Sequence, residues 1–280
     1  MKNYRTYIGI DVAKLTLDYC IVKEDPQLEQ GQILNTQKSV DKFLKTLKKT
    51  GCQMNETLFV FENTGIYSSL LALVLSENSL DYAQVPALEI KRSLGITRGK
   101  SDKVDAKEIA HYAKRNTDKI ALSTLPELSL QQLKIVFAER EKTVAAIKTF
   151  ERTKENEMFL TKEVFNSVKA INNQTVKHLK KQLVMLDEKI RTLIREDENL
   201  YGQQQLLKSI PGIGDITSVY ILMATKGFTA FTSGRKFACY SGVAPFEHSS
   251  GTSIKGKTRV SHLADKKMKT LLHMASLTAI

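Results

Sequence analysis

The chain has 280 residues, 42% of them hydrophobic and 26% charged, with a formal net charge of +12 at pH 7. That length accommodates two domains, or one domain with a helical extension, and the basic surplus favours a polyanionic partner, of which nucleic acid is the commonest. No apolar run of about eighteen residues occurs, which excludes a membrane-spanning helix, and the three scattered cysteines, Cys20, Cys52 and Cys239, form no C-x-x-C pair that would indicate a disulfide framework or a zinc site.

The N-terminus enters a strand almost at once, leaving no room for a signal peptide, so a cytoplasmic protein is expected. Residues 7–14 and 15–22 are two apolar runs around a tight polar turn, the pattern of a β-hairpin whose first strand closes on Asp11. Residues 32–35 offer a third strand. Val40, Phe43, Leu44 and Leu47 follow at i, i+3, i+4 and i+7, which predicts an amphipathic helix. Residues 58–61 read as a buried strand ending at Glu62, then a turn at Asn63-Thr64-Gly65, an apolar helix from Tyr67 to Leu75, and a strand from Asp81 to Val85 stopped by Pro86. A meander followed by alternating strands and helices indicates a mixed sheet covered by helices. Ligands gather at the carboxyl ends of such strands, where Asp11 and Glu62 stand.

A basic loop, Arg98-Gly99-Lys100-Ser101, leads into a helix running to about Arg115, with Asp102 and Asp105 three apart near its start. From Leu128 to Leu200 the sequence is charged, helical in pattern and free of glycine and proline. Val176, Leu179, Leu183, Leu186, Ile190 and Leu193 form a heptad seam that could face an earlier helix bearing Leu133, Val136, Phe137, Val144 and Ile147, or a second copy of the chain. Residues 206–217 carry Ile210-Pro211-Gly212-Ile213-Gly214, the pattern of a helix-hairpin-helix whose Gly212 and Gly214 free N–H groups for a phosphate. A helix from Arg235, a turn at 242–245, a Ser/Gly/Lys-rich loop from Ser249 to Lys257 and a basic amphipathic helix complete the chain. Expected divisions are 1–125, 126–200 and 201–280.

Four acids, Asp11, Glu62, Asp102 and Asp105, stand at strand ends and a helix start. Converging carboxylates hold hard divalent cations through oxygen, and such ions serve phosphoryl transfer. Taken singly, each acid has a plainer role, as an N-cap, a first-turn acid or a surface residue. Lys14, Lys100 and Lys103 beside them suit substrate phosphates.

The set Gly9-Ile10-Asp11-x-x-Lys14, Phe61-Glu62-Asn63-Thr64-Gly65, Lys100-Ser101-Asp102-x-x-Asp105-Ala106, Ile210 to Gly214, and Gly242-Val243-Ala244-Pro245 with Ser250-Gly251, resembles the DEDD transposases of the insertion-sequence 110 family. The Piv site-specific DNA invertase is a relative of that family. The likeness runs in order from residue 5 to the end, with Val243 where leucine is usual. It implies a RuvC-like (ribonuclease H-type) α/β domain, a helical coiled coil and a mostly α C-terminal transposase domain. Family chains continue for several tens of residues past the position of Ile280, which implies a truncated C-terminal domain.

The resemblance further implies Mg²⁺ or Mn²⁺ at Asp11, Glu62, Asp102 and Asp105, and Ser250 as a nucleophile forming a phosphoserine with DNA. Nucleic-acid contacts are expected from Lys14, Arg98, Lys100, Lys103, Gly212, Gly214, Arg235, Lys255, Lys257 and Arg259. Its implied partners are target and donor DNA, a guide RNA encoded by the element, and further copies of the chain, as a dimer and then a tetramer, in a nucleoid-associated setting. Three other readings compete. One is a RuvC-like Holliday-junction nuclease using water, another a non-catalytic nucleic-acid scaffold, and the last an actin-like ATPase, disfavoured because residues 128–200 are helical rather than a second similar half.

Overall fold

The computed structural model describes residues 2–23, 28–93, 102–250, 254–260 and 264–280, with backbone alone at 154, 247–250 and 254–259. The chain divides into two compact units, Met1–Leu125 and Pro126–Ile280.

In the first unit, strands β1 (Thr6–Val12), β2 (Thr16–Lys23), β3 (Leu28–Leu34), β4 (Thr57–Glu62) and β5 (Tyr82–Val85) form one sheet in the order β3-β2-β1-β4-β5. The first three strands pair antiparallel, and β4 and β5 run parallel to β1. The helices are α1 (Gln37–Lys49), α2 (Ile66–Glu77), α3 (Ala87–Ser93) and α4 (Asp102–Arg115). The third strand is longer than residues 32–35 predict, and α3 follows Pro86 where no helix is expected.

Period-two alternation sorts the sheet's side chains. Ile8, Ile10, Val12, Phe59 and Phe61 pack with Val40, Phe43 and Leu44 of α1 and Leu71, Val74 and Leu75 of α2. Tyr7, Leu58 and Val60 pack on the other face with Ile109, Tyr112 and Ala113 of α4. Buried on both faces, β1 and β4 are apolar apart from their ends. Gly9 sets how closely α4 lies on β1: a Cβ there would collide with the backbone of Ala106 and Ala110.

The second unit holds α5 (Leu128–Arg152), α6 (Lys162–Arg195), α7 (Glu198–Lys208), α8 (Asp215–Thr225), α9 (Gly234–Tyr240), a hairpin of β6 (Pro245–Ser250) and β7 (Ile254–Val260), and α10 (Lys266–Thr278). Helices α5 and α6 run antiparallel, tied by Arg140–Asp187 at 2.6 Å, Lys180–Glu151 at 2.7 Å and Asn172–Thr153 at 3.1 Å. The seam residues therefore face a helix of the same chain. Ile190 and Leu193 bury against Leu133, Phe137, Val219 and Met223, whereas Val176, Leu179, Leu183 and Leu186 are half-covered. The expected Ser249–Lys257 loop is corrected on either side of 251–253, which lie outside the described residues: β6 and β7 pair antiparallel with a register shift between Phe246 and His248, Ser249 standing opposite Lys255 and Ser250 opposite Ile254. Backbone pairing between the two strands overrides the low strand preference of serine, glycine and lysine. Among the described residues no helix is long and apolar enough to cross a membrane.

Candidate metal centre

The alternation that buries Ile10 and Val12 under α1 and α2 turns Asp11 to the α4 face. On the adjacent parallel strand Phe61 pairs with Ile10, so Glu62 stands one register step on, level with Asp11. Asp102 and Asp105 lie in the first turn of α4, where the helix dipole favours acids. The tight packing of α4 on Gly9 delivers that turn to the end of β1.

Carboxylate oxygens of Asp11, Asp102 and Asp105 all lie within 4.8 Å of one another. Asp11 and Asp105 are half-buried and Asp102 is exposed. Burial pushes the Asp11 carboxyl up to about 6, and the charges of Asp105, Asp102, Asp18 and Glu62 add to the shift in that order. Glu62 is thus near enough to act on Asp11, but it is not one of the three whose oxygens converge. Among the described residues no lysine or arginine forms an ion pair with any of these acids. Three uncompensated carboxylates are the donor set that suits a hard divalent cation.

The sequence reading missed Asp18. It sits on β2 directly across from Asp11, is 2% exposed, and accepts a hydrogen bond from Gln32 Nε2 at 2.9 Å. Residues opposite each other in an antiparallel pair share a face, so Asp18 joins the acidic row on the α4 side. Closing the hairpin through Ala13 N–H to Thr16 C=O, 3.0 Å, sets the register that pairs Asp11 with Asp18.

Lys14 is exposed in the turn after β1. Lys103 is exposed between the two α4 acids, and its carbonyl accepts from Gln30 Nε2 at 3.0 Å. Arg98 and Lys100 lie outside the described residues. In the second unit Gly212 adopts φ +83° and packs so tightly on α10 that a Cβ would collide with the Ala275 carbonyl, a packing reason for glycine at that place. Gly214 is the open N-cap of α8, whose first-turn Asp215 pairs with Lys208 at 2.6 Å. Arg235 is exposed on α9. The backbone of Ser250 ends β6, and Lys255, Lys257 and Arg259 take alternate positions along β7.

The family model described as DEDD transposase of IS110 type matches residues 8–156, more than half of the chain, and that of the transposase IS116/IS110/IS902 family matches 204–280. The chain belongs to the IS110-type DEDD transposases. This transposase is accordingly a DNA-processing enzyme. It is 28% identical over 277 residues to the pilin gene-inverting protein of Moraxella bovis, covering 98% of this chain and 82% of that one. A putative transposase of Sinorhizobium fredii, y4pF/y4sB, is 33% identical over 113 residues, 39% of this chain and 27% of that protein. Among solved structures, T. thermophilus RuvC in complex with a Holliday junction substrate aligns at 11% identity and a TM-score of 0.31, over 43% of this chain and all of that one.

Proposed function

We propose that this transposase cuts and rejoins the DNA strands of its own insertion element, gripping Mg²⁺ or Mn²⁺ through Asp11, Asp102 and Asp105 with Glu62 beside them. The observation that carries the reading is the convergence of three carboxylates from a strand end and a helix start with no described cation to neutralise them. The sheet order and the motif set support a RuvC-like, ribonuclease H-type reading of the first unit. A divalent ion held there would supply Lewis acidity at a phosphate oxygen.

The chain's own side chains do the rest. Asp11 is fixed by β1, while Asp102 and Asp105 approach from α4, so the acids hold their geometry without a mobile loop. Lys14 and Lys103, exposed beside them, draw and orient the DNA backbone. Ser250 is the nucleophile: its Oγ bonds to phosphorus as a phosphorus–oxygen bond of the strand breaks. The serine proton leaves to a base, and the departing sugar oxygen takes up a proton, so charge balances and a phosphoserine links protein to DNA. Guidance by an element-encoded RNA, and a dimer that pairs into a tetramer for strand exchange, rest on the family resemblance. The basic faces of the first unit and of the α5–α6 arm are the surfaces offered to that RNA.

Denaturing gels of protein mixed with element-end DNA and Mg²⁺ test this. Wild type yields a covalent protein–DNA adduct, Asp11→Asn yields neither adduct nor cut strand, and Ser250→Ala yields no adduct and no exchange. Persistent cutting by Ser250→Ala would instead support a nuclease that uses water.

A further inference from the structure

Within the second unit, α5, α8 and α9 line an open pocket of about 320 Å³ that the metal centre does not involve. Its walls carry two lysines, Lys134 of α5 and Lys226 at the end of α8, with Phe137, Tyr220, Met223 and Tyr240. Among the described residues neither lysine has an acidic partner. Partial burial, and then the charge of Lys226, hold the Lys134 ammonium below the ordinary lysine value. Two ammonium groups facing one cavity repel each other, and an anion between them relieves that cost.

The backbone supports the same reading. Lys226, Gly227 and Phe228 adopt φ of +49°, +64° and +63°, three left-handed residues in succession. Glycine or asparagine is the ordinary occupant where a helix ends this way, and a β-carbon raises the energy of the conformation. The turn is held by Gly227 N–H donating to the Leu222 carbonyl at 2.9 Å and Phe228 N–H to Thr225 Oγ1 at 3.1 Å. A strained, firmly held position carrying a lysine into a cavity already holding another points to use of the charge.

The aromatic wall is equally fixed. Tyr220 and Tyr240 both donate to the Asp265 carboxylate at 2.8 Å. The Lys267 ammonium lies 4.5 Å from the Phe137 ring centroid and 5.1 Å from that of Tyr220. Tyr240 packs against Phe231 and Phe237, with ring centroids 5.1 and 6.5 Å away, and its 37% exposure leaves the rest of the ring open for stacking. Anchored rings beside paired cations are how proteins hold single strands, the ring taking a base and the cations its phosphate. The volume lies at the small end of ligand cavities, room for one nucleotide and not for a duplex.

We infer that this cavity takes one unpaired nucleotide of a DNA strand, its base against Tyr240 and its phosphate between Lys134 and Lys226. The inference rests on the reading of the chain as a DNA-handling enzyme but not on the metal centre, so the two fail separately. Full-length protein is titrated with fluorescein-labelled oligo-dT, oligo-rU and a blunt duplex across a salt series.

The K134Q/K226N variant, which keeps a residue tolerant of the left-handed turn, should lose at least tenfold in oligo-dT affinity. Its slope of log K against log salt should flatten by about 0.7, the value for one phosphate contact on a single strand. Tyr240→Leu should lose roughly tenfold, and Tyr240→Phe should bind as wild type. Duplex affinity should change little in all three. Folding is checked by circular dichroism. Unchanged oligo-dT affinity and slope in K134Q/K226N would overturn the inference and leave the catalytic reading intact. A loss confined to oligo-rU, or equal for duplex and single strand, would overturn it too.

Discussion

Asp11 and Asp265 are both half-buried aspartates, one in each unit, and they are pushed in opposite directions. Burial raises each. At Asp11 nothing opposes it, and the charges of Asp105, Asp102, Asp18 and Glu62 carry the carboxyl up to about 6. At Asp265 hydrogen bonds from the Met268 amide, Tyr220, Tyr240 and the Lys267 amide overcome burial and hold the carboxyl below its ordinary value. The same side chain is satisfied by donors in one place and crowded by like charges in the other. A carboxylate held with donors stabilises its fold; one held against other carboxylates waits for a cation.

The largest expected effect separates those roles. Asp11→Asn should cut metal-dependent strand cleavage by roughly 10³-fold, the scale of removing one preorganised electrostatic group, while leaving the fold intact. Asp265→Asn should leave the metal centre's Mn²⁺ affinity, read by calorimetry, at the wild-type value. Equal loss of Mn²⁺ binding in both variants would end the distinction.

Next comes the device that holds the acids together. Gly9→Val should destabilise the first unit by about 3 kcal/mol, because its side chain meets the backbone of Ala106 and Ala110 instead of a movable side chain. Urea denaturation measures the loss, and weakened Mn²⁺ binding in the folded fraction shows that α4 has shifted from β1. A variant as stable as wild type would show that the close approach does not position Asp102 and Asp105.

Local pattern made much of this legible. The 3.6-residue spacing of Val40, Phe43, Leu44 and Leu47 marks α1, and all four are buried. The apolar runs at 7–14 and 58–61 placed Asp11 and Glu62 at strand ends. What escaped depends on pairing between segments. Asp18 looks like any polar strand residue until the hairpin register sets it opposite Asp11. The hairpin of β6 and β7 hid behind serine, glycine and lysine because its strands are made by backbone pairing, which leaves no hydrophobic period to read. Helix α3, only seven residues long, falls below the length at which a period declares itself. Gly212 reads equally well as a phosphate-binding or a packing glycine, and only the approach of α10 gives it the second role.

Asp265→Ala should cost the second unit about 2 to 3 kcal/mol, because it removes the N-cap of α10 and leaves two tyrosine hydroxyls without their acceptor. Burial first, then the Asp265 hydrogen bond and charge, raise both tyrosines above their ordinary values. Spectroscopic titration of the variant should find both ionising at lower pH than in wild type.

The pH response sharpens the comparison further. The folded value of Asp11, about 6, exceeds its unfolded value of 3.8, so the metal-free fold binds the extra proton between them. The contribution from Asp11 is therefore complete below about pH 4 and is lost as pH rises through 6, a change on the order of 2 kcal/mol. Asp265 acts with the opposite sign, stabilising above its unfolded value and ceasing to do so as pH falls through its lower folded one. Metal-free Asp11→Asn should melt with wild type near pH 4 and roughly 5 °C above it at pH 7. Saturating Mn²⁺ should reverse that order at pH 7. A melting difference independent of pH would sink the account of Asp11 as a crowded carboxylate.

The smallest effect carries the same contrast onto the helical arm. Arg140 and Asp187 pair at 2.6 Å with side chains 14% and 26% exposed, whereas Lys169 and Glu157 pair at 2.9 Å with 44% and 51% exposed. Water screens the second pair, and two long side chains lose rotamer freedom to make it, so its double-mutant coupling should be about 0.5 kcal/mol or less. The first pair is partly withdrawn from solvent and joins α5 to α6, so its coupling should exceed 1 kcal/mol. Equal couplings would mean that these helices are held together by their apolar seam alone. The half-covered stretch from Val176 to Leu186 would then need another surface to account for its stability.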